Sequence, residues 1–249
     1  MWEEVLDEGE GAPAGRPPAR PATGLDRFDS LDAQKWPEAG PLHLAGALLR
    51  APGPLIREIG EERRVARHIA GLLAIAGIFA AAYGAAVAVH ALAWWAVVKV
   101  PLVLLGSALL CSPTLYVFNA LLGSRLTGSQ TLALVLLTPA SASLILVALA
   151  PIVGFFGAST DGYCFMMVLH ALGLLLALVV GLRVLSMARA YLAYLDGAPV
   201  MSGGLLAFWS LLVLVVGLQM AHYFRPILLP GPFRLDEPRG LFIDLLRVL

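Results

Sequence analysis

The chain has 249 residues, 59% of them hydrophobic and 14% charged, with a mean hydropathy of +0.82. Soluble domains hold about 45–50% apolar and about 25% charged residues, so composition excludes a water-soluble globule and names the bilayer as the second apolar medium. The formal charge of zero hides an asymmetry: residues 1–38 carry nine acids against four bases, a net −5, while residues 68–182 carry only Lys99, Arg125 and Asp161.

Residues 1–40 read as an acidic, proline-rich cytoplasmic tail. Pro13, Pro17, Pro18, Pro21 and Pro37 deny it a helix, and it lacks the apolar content for a core. Its isolated aromatics Trp2, Phe28 and Trp36 are the residues that would anchor a partner.

Residues 41–67 change character. Leu42, Ala45, Leu48 and Leu49 follow helical spacing, Pro52-Gly53-Pro54 interrupts, and Leu55, Ile56 and Ile59 form a second apolar patch facing Arg57, Glu58 and Glu61. Two short amphipathic pieces of this kind are expected to lie as helices on the membrane face, shaping or sensing the inner leaflet. Leu48, Pro52, Leu55 and Ile59 join the head aromatics as candidate partner contacts. The cluster Arg57, Arg63, Arg64 and Arg67 would hold this side in the cytoplasm.

Five spans are expected within 68–224, at about 68–90, 94–122, 130–152, 163–190 and 203–224. In the first, Gly77, Ala81, Gly84 and Ala88 recur every three or four residues and predict a smooth stripe for close helix approach. The second opens at Trp94 and Trp95, an outer-interface marker, and contains Pro101 and Pro113. The third is expected to kink near Pro139, with Ser141 and Ser143 available to the freed backbone groups. Gly154 through Gly162 reads as a short outer loop, and Asp196-Gly197-Ala198-Pro199 as an inner turn. An odd span number puts the amino end inside and the carboxyl end outside. Residues 225–249 read as a proline-rich tail with a short terminal helix; Gln219 and His222 would tie it to the bundle.

Chemistry-bearing residues are few. Lys99 is the one charge within an apolar run, four residues past Trp95, from where its amine can snorkel to the outer interface. His170 is placed to hydrogen-bond a serine, Asn119 or Tyr116 across the bundle. Lys99, Asn119 and His170 together form the polar path of a transport reading. Gly157-Ala158-Ser159 with His170 invites comparison with intramembrane serine proteases, but the serine falls in an expected loop. No histidine or cysteine spacing suits a metal, and Cys111 and Cys164 lie in apolar runs, as packing thiols do. No cofactor and no nucleic-acid partner are expected.

The run Leu48-Leu49-Arg50-Ala51-Pro52-Gly53-Pro54-Leu55-Ile56-Arg57-Glu58-Ile59 resembles the entry segment of bacterial Yip1-like membrane proteins. Gly123-Ser124-Arg125-Leu126-Thr127-Gly128-Ser129-Gln130-Thr131-Leu132, followed by Pro139, resembles that family's second loop and third span. The eukaryotic members' Asp-Leu-x-Gly-Pro signature is missing. The resemblance implies a five-span, non-enzymatic protein of the bacterial inner membrane that organises a membrane or recruits a soluble partner. The expectation is therefore an all-α polytopic bundle acting as a scaffold or accessory subunit, in contact with lipid and with a protein partner or a second copy. The alternative is a small-solute channel or transporter.

Overall fold

A computed structural model describes residues 43–91, 94–121, 126–160, 162–196 and 203–224. These residues form α1 (His43–Arg50), α2 (Pro52–Gly60), α3 (Val65–Ala91), α4 (Ala96–Leu121), α5 (Gly128–Ser159), α6 (Tyr163–Asp196) and α7 (Gly203–Phe224). There is no strand among the described residues. The helices α3 to α7 are each long and apolar enough to cross a membrane, and the chain is an all-α bundle of the membrane-protein kind. The head with Trp2, Phe28 and Trp36, and the tail from 225 onward, lie outside the described residues.

The core is built around α5. Between Gln130 and Leu144 every residue except Leu132 is buried. This stretch is rich in small or hydroxyl-bearing residues (Ala133, Thr138, Ala140, Ser141, Ala142, Ser143), which let neighbours approach on several sides. The neighbours are α3, α4 and α6. Against α6 the approach is closest at Gly181, where an added Cβ would stand 2.5 Å from the Thr138 carbonyl oxygen. On the α3 side, Ser143 reaches the Ile75 carbonyl at 3.5 Å.

The stripe on α3 lies one residue away from the expected one. Leu72, Ala76, Ala80, Tyr83 and Val87 face the bundle and are buried. Of the expected set, Gly84 is buried where the α4 backbone passes at Ala96, whereas nothing of the chain lies near Gly77. Ala81 and Ala88 are half-buried on the flank. Two sets with the same +4, +3, +4 spacing run side by side on this helix, and the bulkier Tyr83 and Val87 mark the inward one.

The third span is longer than expected. It continues past Pro151 through Gly154, Phe155, Phe156 and Gly157 to Ser159, so most of the expected outer loop is helix. Aromatic contacts stiffen this extension: Phe156 meets Phe155 at 5.4 Å and Phe165 at 5.1 Å between ring centroids. The Ser159 hydroxyl also folds back to the Phe155 carbonyl at 2.7 Å. A proline removes one donor from the ladder, and α5 runs on through Pro139 and Pro151. Ser143 donates to the Ala140 carbonyl at 2.8 Å, while the Ser141 hydroxyl has no partner among the described residues.

The last span stands apart. It packs against α4 and not along α6, its predecessor in the chain. The two run antiparallel: Phe208 meets Phe118, and Met220 meets Gly106. Trp209, buried, donates from Nε1 to the Cys111 carbonyl at 3.1 Å. The outer face of α7 exposes Phe208, Leu211, Val215 and Leu218.

Candidate functional site

The polar contacts between helices gather where α3 and α5 begin and α4 and α6 end. This end also carries Arg50, Arg57, Arg63, Arg64, Arg67, Arg183 and Arg189, and is called the basic end below. At the opposite, far end α3 and α5 close and α4 and α6 begin.

At the basic end, α1 and α2 form a helical hairpin across the bundle. Pro52 opens α2, where its missing N–H costs nothing. The apolar face of the hairpin is turned to protein: Leu55, Ile56 and Ile59 are all 0% exposed, and Leu48 is buried with them. Leu192 of α6 abuts Gly60, and Leu44 of α1 abuts Gly71 of α3. These side chains were expected to face the inner leaflet or a partner, and Leu48, Leu55 and Ile59 lie instead in the chain's own core, with Pro52 half-buried at its edge. The bundle offers them an apolar surface at van der Waals distance.

Two side-chain ties hold the hairpin. Gln130, in the first turn of α5, donates from Nε2 to the carbonyls of Ile59 (3.1 Å) and Gly60 (2.7 Å), acceptors in the last turn of α2. Its Oε1 accepts from the Thr127 backbone N–H at 2.7 Å, and its own N–H reaches the Thr127 hydroxyl, completing a capping box. His68 of α3 meets Glu58 of α2 at 2.9 Å. Between them, residues 61–64 turn the chain with Glu62 (φ 57°) and Arg64 (φ 53°) in the left-handed region. Arg57 and Arg63 both pair with Glu61 there, at 3.6 and 2.9 Å, on the solvent side.

A third tie spans α4 and α6. These helices do not pack along each other, yet Arg189 reaches across and donates from Nη2 to Asn119 Oδ1 at 2.9 Å. Toward the far end, the buried Tyr83 hydroxyl of α3 is hydrogen-bonded to His170 Nδ1 of α6 at 2.8 Å, with the rings edge to face. His170 thus crosses the bundle as expected, and the hydrogen bond seen among the described residues runs to Tyr83. Beside this pair an open, apolar cleft of about 170 Å³ lies among Tyr83, Leu149, Ile152, Leu169 and Gly173.

Lys99 also departs from expectation. It is 4% exposed, covered by protein; Trp94, stacked on Trp95 at 3.8 Å, takes the exposed position. Ser159 is exposed and bonded to its own helix, while His170 is bonded to Tyr83. Cys111 is buried and Cys164 exposed, both free. No group of three or more metal-ligating side chains occurs among the described residues. Gln130 was passed over in the sequence, although Thr127-x-x-Gln130 ahead of an apolar run is a helix-start signature.

Comparison with protein-family models, with curated proteins and with solved structures finds no match.

Proposed function

We propose that this chain is a non-enzymatic scaffold or accessory subunit of a bacterial cytoplasmic membrane, with its basic end and amino-terminal head in the cytoplasm. The arginines at one end of the bundle support this orientation. The Yip1-like reading belongs to this proposal and rests on the resemblance of residues 48–59 and 123–139.

One observation carries the functional reading. The residues that a transport path would need are separated and engaged. Lys99 and Asn119 sit near opposite ends of α4, about 30 Å apart at 1.5 Å per residue. Asn119 holds Arg189, and His170 holds Tyr83. Polar groups used as joints between helices build a rigid platform, and the bare face of α7 leaves room for a neighbour in the bilayer. Purification in mild detergent after in-cell cross-linking tests this. A stoichiometric protein partner or a second copy is the expected recovery; a lone monomer overturns the proposal.

The burial of Lys99 favours the second reading, a small-solute channel or transporter, because an intramembrane charge is a functional feature by default. Solute or ion flux into proteoliposomes, abolished by Lys99→Leu, would replace the scaffold with this reading.

A further inference from the structure

We infer that Arg189 and Asn119 form an anion site at the basic end, between α4 and α6, that takes the phosphodiester group of an anionic phospholipid from the adjacent leaflet. The inference is independent of the scaffold reading.

Arg189 is a cation within a membrane-spanning helix, and such a charge is stable there only when paired. No ion pair joins Arg189 to a carboxylate among the described residues; its one hydrogen bond runs to a neutral amide oxygen. The Nε of Arg189 and the Nδ2 of Asn119 are both sheltered, and both lack a partner among the described residues. Asn119 is 2% exposed. An unpaired buried donor is costly because its lost hydration is not replaced, and here two stand on side chains already in contact. Both are donors, and one side chain is cationic, so the missing ligand is an anionic acceptor.

Geometry selects the class. A guanidinium edge and a primary amide suit the oxygens of a tetrahedral phosphate, which accept several donors at once. Asn119 is two residues from the end of α4, and Arg189 is two turns from the end of α6. That depth is where acyl chains meet headgroups. α4 and α6 do not pack along each other, so side chains alone close the space between them at this level. Arg189 is itself only half-buried, and a small side-chain shift would uncover its Nε and the Asn119 Nδ2 to a phosphate oxygen.

The test uses the full chain in nanodiscs of equal parts phosphatidylglycerol and phosphatidylcholine, with bound lipid read by native mass spectrometry. The wild type is expected to retain phosphatidylglycerol selectively. Arg189→Gln is expected to lower that retention about tenfold, the loss of one charge-assisted phosphate contact. Arg183→Gln, at an exposed arginine on the same helix, should leave it unchanged. Asn119→Asp is the variant that stands even if Arg189→Gln fails to fold. It supplies Arg189 with an internal carboxylate, so the bundle should keep its thermal stability while phosphatidylglycerol is released. Full retention in Asn119→Asp, or equal retention of both lipids by the wild type, overturns the site. Displacement of the lipid by millimolar inorganic phosphate overturns the lipid source in favour of a soluble anion.

Discussion

The third and the fifth spans have nearly the same mean hydropathy, 2.4 for α5 and 2.1 for α7, and opposite placements. Of their most apolar windows, 72% is buried within the protein in α5 and 11% in α7. Hydropathy therefore reports that a helix enters the membrane and is silent on whether lipid or protein surrounds it. The difference lies in side-chain kind. The inner stretch of α5 alternates alanine, serine and threonine with leucine, whereas α7 is dominated by leucine, valine and aromatics. Between apolar helices in lipid there is no hydrophobic drive, so close van der Waals fit and a few hydrogen bonds decide which helix becomes the centre.

The contrast can be tested from its strongest point downward. Gly181→Leu drives a side chain into the Thr138 carbonyl of α5. It should cost about 3 kcal/mol, the upper end for overpacking, measured as a lower denaturant midpoint in detergent. Next, Gln130→Leu removes two bonds to the end of α2 and leaves the Ile59 and Gly60 carbonyls without that donor. A loss of about 2 kcal/mol is expected, seen as faster proteolysis at the 61–64 turn with the bundle intact. Trp209→Phe takes away the indole bond from α7 to the Cys111 carbonyl. About 1 kcal/mol is the expected size, and cross-linking between introduced cysteines on α4 and α7 should slow. Smallest of all, Leu211→Ala on the bare face of α7 should change unfolding by no more than about 0.5 kcal/mol. If Leu211→Ala rivals Gly181→Leu, α7 is as integral as α5 and the comparison fails.

Much of this architecture was legible in the residues. Five apolar stretches separated by turn and charge signals give five spans because the bilayer fixes the length of a crossing helix. The amphipathic pieces before the first span are the helices α1 and α2. Their destination was not legible, since a face of Leu55, Ile56 and Ile59 suits lipid and protein equally well. Small-residue spacing on α3 fits two registers one residue apart, and only packing chooses between them. The loop expected from Gly154 and Gly157 is helix because glycine weakens a helix by about 1 kcal/mol, which neighbouring aromatic contacts offset. The Arg189–Asn119 contact joins residues 70 apart in sequence, and no periodicity points from one to the other. The protein cover over Lys99 was not legible either, because reach to an interface was argued from one helix without its neighbours.

The bridge from Gln130 to Ile59 has a bearing on biosynthesis. Its two ends are separated by 71 residues, so the entry hairpin leaves the ribosome well before the side chain that latches it. Two complete crossings, α3 and α4, must thread the bilayer first. Until then the Leu55 and Ile59 surface has only α3 beside it and lacks its partners on α5 and α6, and a nascent chain stalled ahead of the third crossing would present the uncovered part to chaperones or to the translocon.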